Sequence, residues 1–305
     1  MEKPNPLKNS RINPPNHTSW DPVASWYDEM LAGKDTYQYQ VILPNLLRIV
    51  PPKGKRIIDI ACGQGFFSKA FAEEGAAEVF GVDLSDELIR KARLNGQTVG
   101  QSDGVKGEKF GEPKNLRFEV TAANKIALAK NDYFDAGLII LALQNIKEMS
   151  ETLKEASRTL IKGGMLVIVL NHPCFRIPKA SSWDYDEKQE VQYRRIDKYG
   201  RPFTVDIDMT PGINGANGMR GATESVPKSV SKSAPSAAAI FTKSFHRPLQ
   251  DYFKALASAG FCVTGLEEWI SHKKSEHGPR AEAEDSARKE FPLFLTIIAR
   301  KLART

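Results

Sequence analysis

Short continuous apolar runs alternate along this chain with apolar residues at helical spacing, and that alternation predicts its elements. Residues 56–61 form an apolar run that closes on Gly63-Gln64-Gly65, after which Phe67, Ala70 and Phe71 recur at i, i+3, i+4. This predicts strand, tight turn, helix. Residues 78–82 predict a second strand, and Ser85 with Asp86 and Glu87 supplies an N-cap and two acids where a helix dipole favours them. Residues 116–120, 134–143 and 165–170 read as strands buried on both faces. Between the last two, Ser150 is expected to cap a helix carrying Leu153, Ala156 and Leu160, stopped by Gly163-Gly164. Strands alternating with helices imply a parallel sheet, and hence the α/β class.

The alternation breaks at Asn171. Residues 191–199 and 202–209 are expected as two antiparallel strands, followed by a Gly/Ser/Ala/Lys-rich stretch, 212–239, that has little to bury and is expected to be flexible. Leu249, Tyr252, Phe253, Leu256 and Ala257 then mark the strongest amphipathic helix, ended by Gly260. A strand at 261–269, an exposed helix at 279–290 with Glu284/Arg288 and Asp285/Lys289 at i, i+4, and a terminal strand at 293–300 complete the reading. Residues 1–19 are Pro/Asn-rich and expected as a loose tail. Residues 20–305 then form one domain, with a helical cap at 20–50 ended by Pro51-Pro52-Lys53-Gly54 and insertions at 171–245 and 270–292.

Composition narrows the class without changing this outline. With 41% hydrophobic and 26% charged residues in 305, the chain can bury a core, which excludes collagen and global disorder. The apolar runs are far shorter than the ~20 residues that span a bilayer, so no membrane helix is expected. The start lacks the layout of a secretory signal, making the cytoplasm the default compartment. Cys62, Cys174 and Cys262 are too scattered for a disulfide framework or a short-spaced zinc site, and no metal is expected. Forty-three basic against thirty-seven acidic residues leave a net charge of +6 that is not gathered into a run and gives nucleic acid only weak support, so it is not the expected partner.

The chemistry centres on the first turn, where backbone N–H groups at a helix start can meet a ligand. A dinucleotide site wants a small third residue in G-x-G-x-x-G/A; here Ser68 follows bulky Phe66 and Phe67. Instead Asp59 sits four residues before Gly63, and Asp83 ends the second strand twenty positions after it. A carboxylate beside the loop suits an ammonium and a sulfonium better than two phosphates. An acid at the tip of the second strand can accept from ribose hydroxyls.

With these residues, Asp59-Ile60-Ala61-Cys62-Gly63-Gln64-Gly65 and Gly81-Val82-Asp83-Leu84, the sequence resembles the class I S-adenosylmethionine-dependent methyltransferases, in particular the small-molecule group called type 11. The resemblance covers residues 55–170 well and 245–300 in layout. It implies a seven-stranded, doubly wound Rossmann-like sheet of order 3-2-1-4-5-7-6 with the last strand antiparallel, and S-adenosylmethionine as cofactor. By that likeness Asp59, Ala61, Gly63 and Gly65 cradle the methionine half, Asp83 and Leu84 hold ribose and adenine, and Leu141 lines the pocket. The family often places an acid after strand three for the adenine amine. Here Thr121-Ala122-Ala123-Asn124 stands there, so Ala122 replaces the acid, Asn124 is expected to substitute for it, and Ala123 is expected to line the cofactor pocket with it.

Ligands of open parallel sheets bind outside the carboxyl ends of the strands. Both insertions and the aromatic cap therefore roof the cofactor, and His172, His246 and His272 fall on this edge. His172 and His246 are the candidate general bases, useful where the acceptor starts protonated. Tyr27, Arg176, Trp183, Tyr193 and Trp269 are candidate substrate contacts; Arg194, Arg195, Arg247 and Arg280 could clamp an acidic acceptor. Cys174 resembles in placement the nucleophile of cytosine-5 RNA methyltransferases, but their Pro-Cys after strand four is absent from Leu141-Ala142-Leu143-Gln144-Asn145. The expectation is methyl transfer to a small organic acceptor. The alternatives are an RNA or protein methyltransferase, a non-catalytic S-adenosylmethionine-binding module, or a dehydrogenase.

Overall fold

The computed structural model describes residues 18–25, 31, 33–96, 114–209 and 240–303. The expected tail before residue 18 and the expected flexible stretch 212–239 lie outside them.

Seven strands form the central sheet: β1 (Arg56–Ile60), β2 (Glu78–Asp83), β3 (Leu116–Val120), β4 (Phe134–Ile140), β5 (Leu160–Asn171), β10 (Phe261–Trp269) and β11 (Phe294–Lys301). Their spatial order is β10-β11-β5-β4-β1-β2-β3. The pairs β1–β2, β1–β4, β2–β3 and β4–β5 are parallel, whereas β11 runs antiparallel to both β5 and β10. This is the anticipated 3-2-1-4-5-7-6 arrangement with its last strand reversed.

The alternation of side chains along each strand builds two cores, one on each face of the sheet. Ile57, Leu138, Val167 and Val169 face the core that contains Phe67 and Phe71 of α2 (Phe66–Glu73), Ile89 and Ala92 of α3 (Asp86–Gly96), and Leu46 of α1 (Leu43–Ile49). Ile58, Ile60, Ile139 and Ile168 face the other, with Leu153 of α4 (Met149–Thr159) and Leu256 of α5 (Leu249–Ser258). Because both faces are covered, the central strands lack the polar alternation of a half-wet sheet.

Several boundaries differ from the sequence reading, each for a local reason. The strand expected at 134–143 stops at Ile140, because Leu141 takes a left-handed φ of 54° and residues Leu143–Asn145 form a 3-10 turn. Ser150 does not cap α4: the N-cap is Glu148, without a side-chain cap. Leu160 leaves the helix as its extended C-cap and begins β5. Ser85 does cap α3, its Oγ accepting from Leu88 N–H at 3.1 Å. In the cap region a 3-10 turn at Asp21–Val23 and a π-helical turn at Gln38–Ile42 precede α1.

The first insertion holds strands at the two expected places, but they do not pair with each other. β7 (Val191–Ile196) pairs with β6 (Ser181–Asp186), and β8 (Phe203–Asp208) pairs with β9 (Phe241–His246). The partners β6 and β9 mix polar and aromatic residues on half-wet ribbons and gave no buried-strand signal. The second insertion carries α6 (Ala281–Glu290). Glu284 reaches Arg288 at 3.7 Å as expected, and Asp285 also turns to Arg288, at 3.8 Å.

Candidate functional site

At the carboxyl ends of β1 and β4 the backbone departs from ordinary geometry. Ala61, directly after β1, has φ 59°, and Leu141, directly after β4, has φ 54°. Non-glycine residues held there store of order 1–3 kcal/mol each and cluster at functional sites. Between β1 and α2, Gly63 and Gly65 have φ 58° and 79°. A Cβ on Gly65 would lie 2.7 Å from the Phe118 ring, so only glycine lets the loop settle against β3.

The two aspartates come together at this loop. Asp83 Oδ2 accepts from Gly63 N–H at 2.9 Å and Oδ1 from Ser85 N–H at 2.9 Å, which leaves each oxygen a further acceptor position toward the edge. Burial raises its pKa. Asp59 is only 2% exposed and accepts from Ser68 Oγ at 2.6 Å. Burial, with Asp83's charge adding to it, pushes the Asp59 pKa up to about 7. Ser68 therefore has a role of its own, fastening α2 to β1 beneath the loop. Cys62, also buried, has its thiol pushed up by desolvation and is inert.

Leu84 follows Asp83 with 45% of its surface exposed, an apolar shelf at the tip of β2. Thr121 N–H donates to the Asp83 carbonyl at 2.8 Å, tying the half-buried Ala123-Asn124 loop to the same place.

Among the buried polar atoms at this edge that have no partner among the described residues, two belong to glutamines missed in sequence. Gln64, inside the glycine loop and 3% exposed, leaves Nε2 without an acceptor. Gln144, in the turn after β4, leaves Oε1 without a donor. Its Nε2 donates to the Leu141 carbonyl at 2.7 Å, which fixes the amide orientation. Buried polar atoms are nearly always bonded, so an orphan donor beyond β1 and an orphan acceptor beyond β4 are features of a ligand site. The available signal was position: a glutamine between two loop glycines, and another just past a strand end.

Comparison with known proteins agrees with this geometry. The methyltransferase-domain family model matches residues 58–168. This stretch, which runs from β1 to β5, is thus similar to a methyltransferase domain. A ubiquinone biosynthesis O-methyltransferase of Xylella fastidiosa is 26% identical over 147 residues, 48% of this chain and 54% of the relative. An uncharacterized Haemophilus influenzae protein is 28% identical over 173 residues, 55% of this chain and 63% of its own. The chain thus matches less than two thirds of either relative. An S-adenosylmethionine-dependent methyltransferase of Mesorhizobium loti shares the fold at TM-score 0.56 and 22% identity, over 87% of this chain and 98% of that one.

Around this stretch the other candidate residues have mostly structural duties. His172, 2% exposed at the end of β5, lies 2.7 Å from Glu268 through Nε2 and accepts from Cys174 N–H through Nδ1 at 3.2 Å. Burial pushes its pKa down. His246 donates through Nε2 to the Tyr199 carbonyl at 2.8 Å. Tyr199 in turn accepts from Leu249 N–H at 3.1 Å, capping α5, and from the Cys174 thiol at 3.6 Å. Arg247 donates to the carbonyls of Leu143, Ile146 and Lys147, closing the turn after β4 and not offering a clamp. Arg194 donates to Phe175 O and Ser181 Oγ and lies over the Trp183 ring. Arg195 pairs with Asp197.

Trp269 is buried in the core and bonded to Glu267, so it does not line a pocket. Trp183 packs edge-on against Phe291, and Arg280 reaches Glu187 and Tyr185; these contacts bind the two insertions to each other. Tyr193 is exposed, its hydroxyl on Asp184. Arg176 is half-buried beside His172, its N–H on the His172 carbonyl at 2.7 Å. Tyr27 lies outside the described residues. No group of metal-binding side chains occurs among the described residues, and no helix there is long and apolar enough to cross a membrane.

Proposed function

We propose that this chain transfers a methyl group from S-adenosylmethionine to a small organic acceptor. The observation that carries the reading is the pair of orphaned amide atoms, Gln64 Nε2 and Gln144 Oε1, at the ends of neighbouring strands beside Asp83. The donor set fits the cofactor: Gln64 and the glycine-loop amides suit a carboxylate, Asp83 keeps acceptor positions for ribose hydroxyls, and Leu84 offers an apolar face for a purine. Asp59, four residues before Gly63, supplies a carboxyl group able to oppose a cationic centre. When bound, the cofactor supplies an electrophilic methyl on a sulfonium. The protein's part is to hold the acceptor atom in line with it and keep water away. The Xylella relative, named a ubiquinone biosynthesis O-methyltransferase, supports a small organic acceptor.

Isothermal titration with S-adenosylhomocysteine tests the reading. Micromolar binding by the wild type is expected, and Asp83→Ala should weaken it by about 1.5–3 kcal/mol, the scale of hydrogen bonds to a charged group. No binding by folded wild-type protein would remove the proposal.

A further inference from the structure

β10 runs in the same direction as β5, so the loop that follows Trp269 emerges on the same sheet edge as Asn171. On that loop His272 sets Nε2 3.0 Å from Asp35 Oδ1, while its Nδ1 is buried with no partner among the described residues. A carboxylate can only accept, so Nε2 carries a proton, and in the neutral ring Nδ1 is left with a bare lone pair. Lys273 shares the Asp35 carboxylate and donates to the Asp35 carbonyl at 2.7 Å. Lys273 first and His272 second hold Asp35 below the usual carboxylate range, so the charge that selects this tautomer is secure. Tyr37 meets the imidazole edge-on at 5.1 Å, packs on Phe294 at 5.9 Å, and bonds Ser271 Oγ at 3.2 Å through its hydroxyl. Among the described residues, Asp35, Lys273 and Tyr37 are thus ionisable groups that face His272.

His172 spends both ring nitrogens on the fold and His246 spends Nε2, whereas His272 has an oriented ring and an unused, water-shielded acceptor. Buried acceptors call for a donor. We propose that His272 is the general base of the reaction, its Nδ1 receiving the proton of a phenolic or enolic hydroxyl on the methyl acceptor, with Asp35 as the positioning residue. This rests on the methyltransferase reading above. As the acceptor oxygen uses a lone pair to bond carbon, its O–H bond breaks and that pair stays on oxygen. The proton passes to Nδ1, the imidazolium charge faces Asp35, and the electrons of the broken carbon–sulfur bond leave with sulfur. An acidic hydroxyl is the matching class because its proton lies within reach of an imidazole, unlike that of an alkyl alcohol.

Nitrogen-15 NMR of the full chain with labelled histidine tests this without knowledge of the natural acceptor, using phenol as the probe on protein saturated with S-adenosylhomocysteine. Wild-type His272 should show a protonated Nε2 and a bare Nδ1, and phenol should move the Nδ1 resonance; Asp35→Asn should lose the single tautomer. A protonated Nδ1 in the free protein, or no phenol-dependent change at His272, overturns the proposal. In methyl transfer to a phenol panel, His272→Ala should lower kcat by about 10²- to 10⁴-fold and leave S-adenosylhomocysteine affinity unchanged. A variant with wild-type kcat overturns the base assignment alone. Failure of the wild type to bind S-adenosylhomocysteine overturns the underlying methyltransferase reading instead.

Discussion

The loop between β1 and α2 and the roof expected of the two insertions both bring polar groups to one sheet edge, yet they use them in opposite ways. In the loop, strain and orphaned atoms accumulate: Ala61 is left-handed, Gly65 is pressed on Phe118, Gln64 Nε2 is unbonded, and Asp59 sits buried at a raised pKa. In the roof, groups that look reactive in sequence are satisfied by the fold: His172 by Glu268 and Cys174, His246 by Tyr199, Arg247 by three carbonyls. A region prepared for a ligand keeps capacity unspent at a cost in stability, while a region prepared for itself does not. His272 is the exception that belongs, by this criterion, with the loop.

The sharpest break of that comparison is Gly65→Ala. The new Cβ would meet Phe118 at 2.7 Å and Ala92 at 3.1 Å, at a φ of 79°. Both the loop path and the amide directions must shift, so S-adenosylhomocysteine affinity should fall by more than about 100-fold, on the order of 3 kcal/mol. Gly163→Ala is the control. It has φ 74° but nothing within 4 Å of the new Cβ, and lies at the far end of β5. Its cost should be the backbone term alone, about 1–2 kcal/mol of stability, with binding unchanged in the same titration.

Asp59 gives the next effect, one that depends on pH. Its folded pKa of about 7 lies above the ordinary 3.8, so between those values the folded protein holds a proton that the unfolded chain has lost. Its contribution to stability therefore falls as pH rises through that window and is constant above it. Asp59→Asn keeps an acceptor for Ser68 and removes the titration. The drop in urea-unfolding free energy between pH 5 and pH 8 should shrink by about 2–3 kcal/mol. A sulfonium bound nearby restores the carboxylate, so binding of S-adenosylmethionine near pH 6.5 should release a proton, and S-adenosylhomocysteine should release less. Calorimetry in two buffers of different ionisation enthalpy reads the difference; equal release for both ligands would place the cation elsewhere.

The loop was legible because its parts are contiguous: Asp59, Gly63, Gly65 and Asp83 fall within one strand–helix–strand unit, and the periodicity of the flanking strands fixes their order in the sheet. Asp59's contribution was read too simply, since charge attraction was visible in the sequence and burial was not. The roof was poorly legible because its bonds join distant positions. His172 meets Glu268 ninety-six residues on, and His272 meets Asp35 two hundred and thirty-seven residues back. A histidine after a strand reads the same whether its nitrogens are spent or free. Strands β6 and β9 were missed for a related reason: as halves of two-stranded ribbons they need no continuous apolar run to be stable in place.

The smallest effect decides whether the two regions are as separate as their bonding suggests. His172→Gln removes a buried imidazole that joins β5 to Glu268 of β10 and holds the Cys174 amide. Two hydrogen bonds lost or weakened should cost about 1–3 kcal/mol. Burial also depresses the folded pKa of His172 below 6.5, so the unfolded chain takes up a proton first as the pH falls. The wild type should therefore lose stability below about pH 6.5, and the variant should lose less over the same range in urea titrations. S-adenosylhomocysteine affinity should not change, because nothing in the loop rests on this ring. A parallel loss of affinity would mean that β5 and β10 set the position of the loop after β4, and with it Gln144, so that satisfied and unsatisfied groups work as one site.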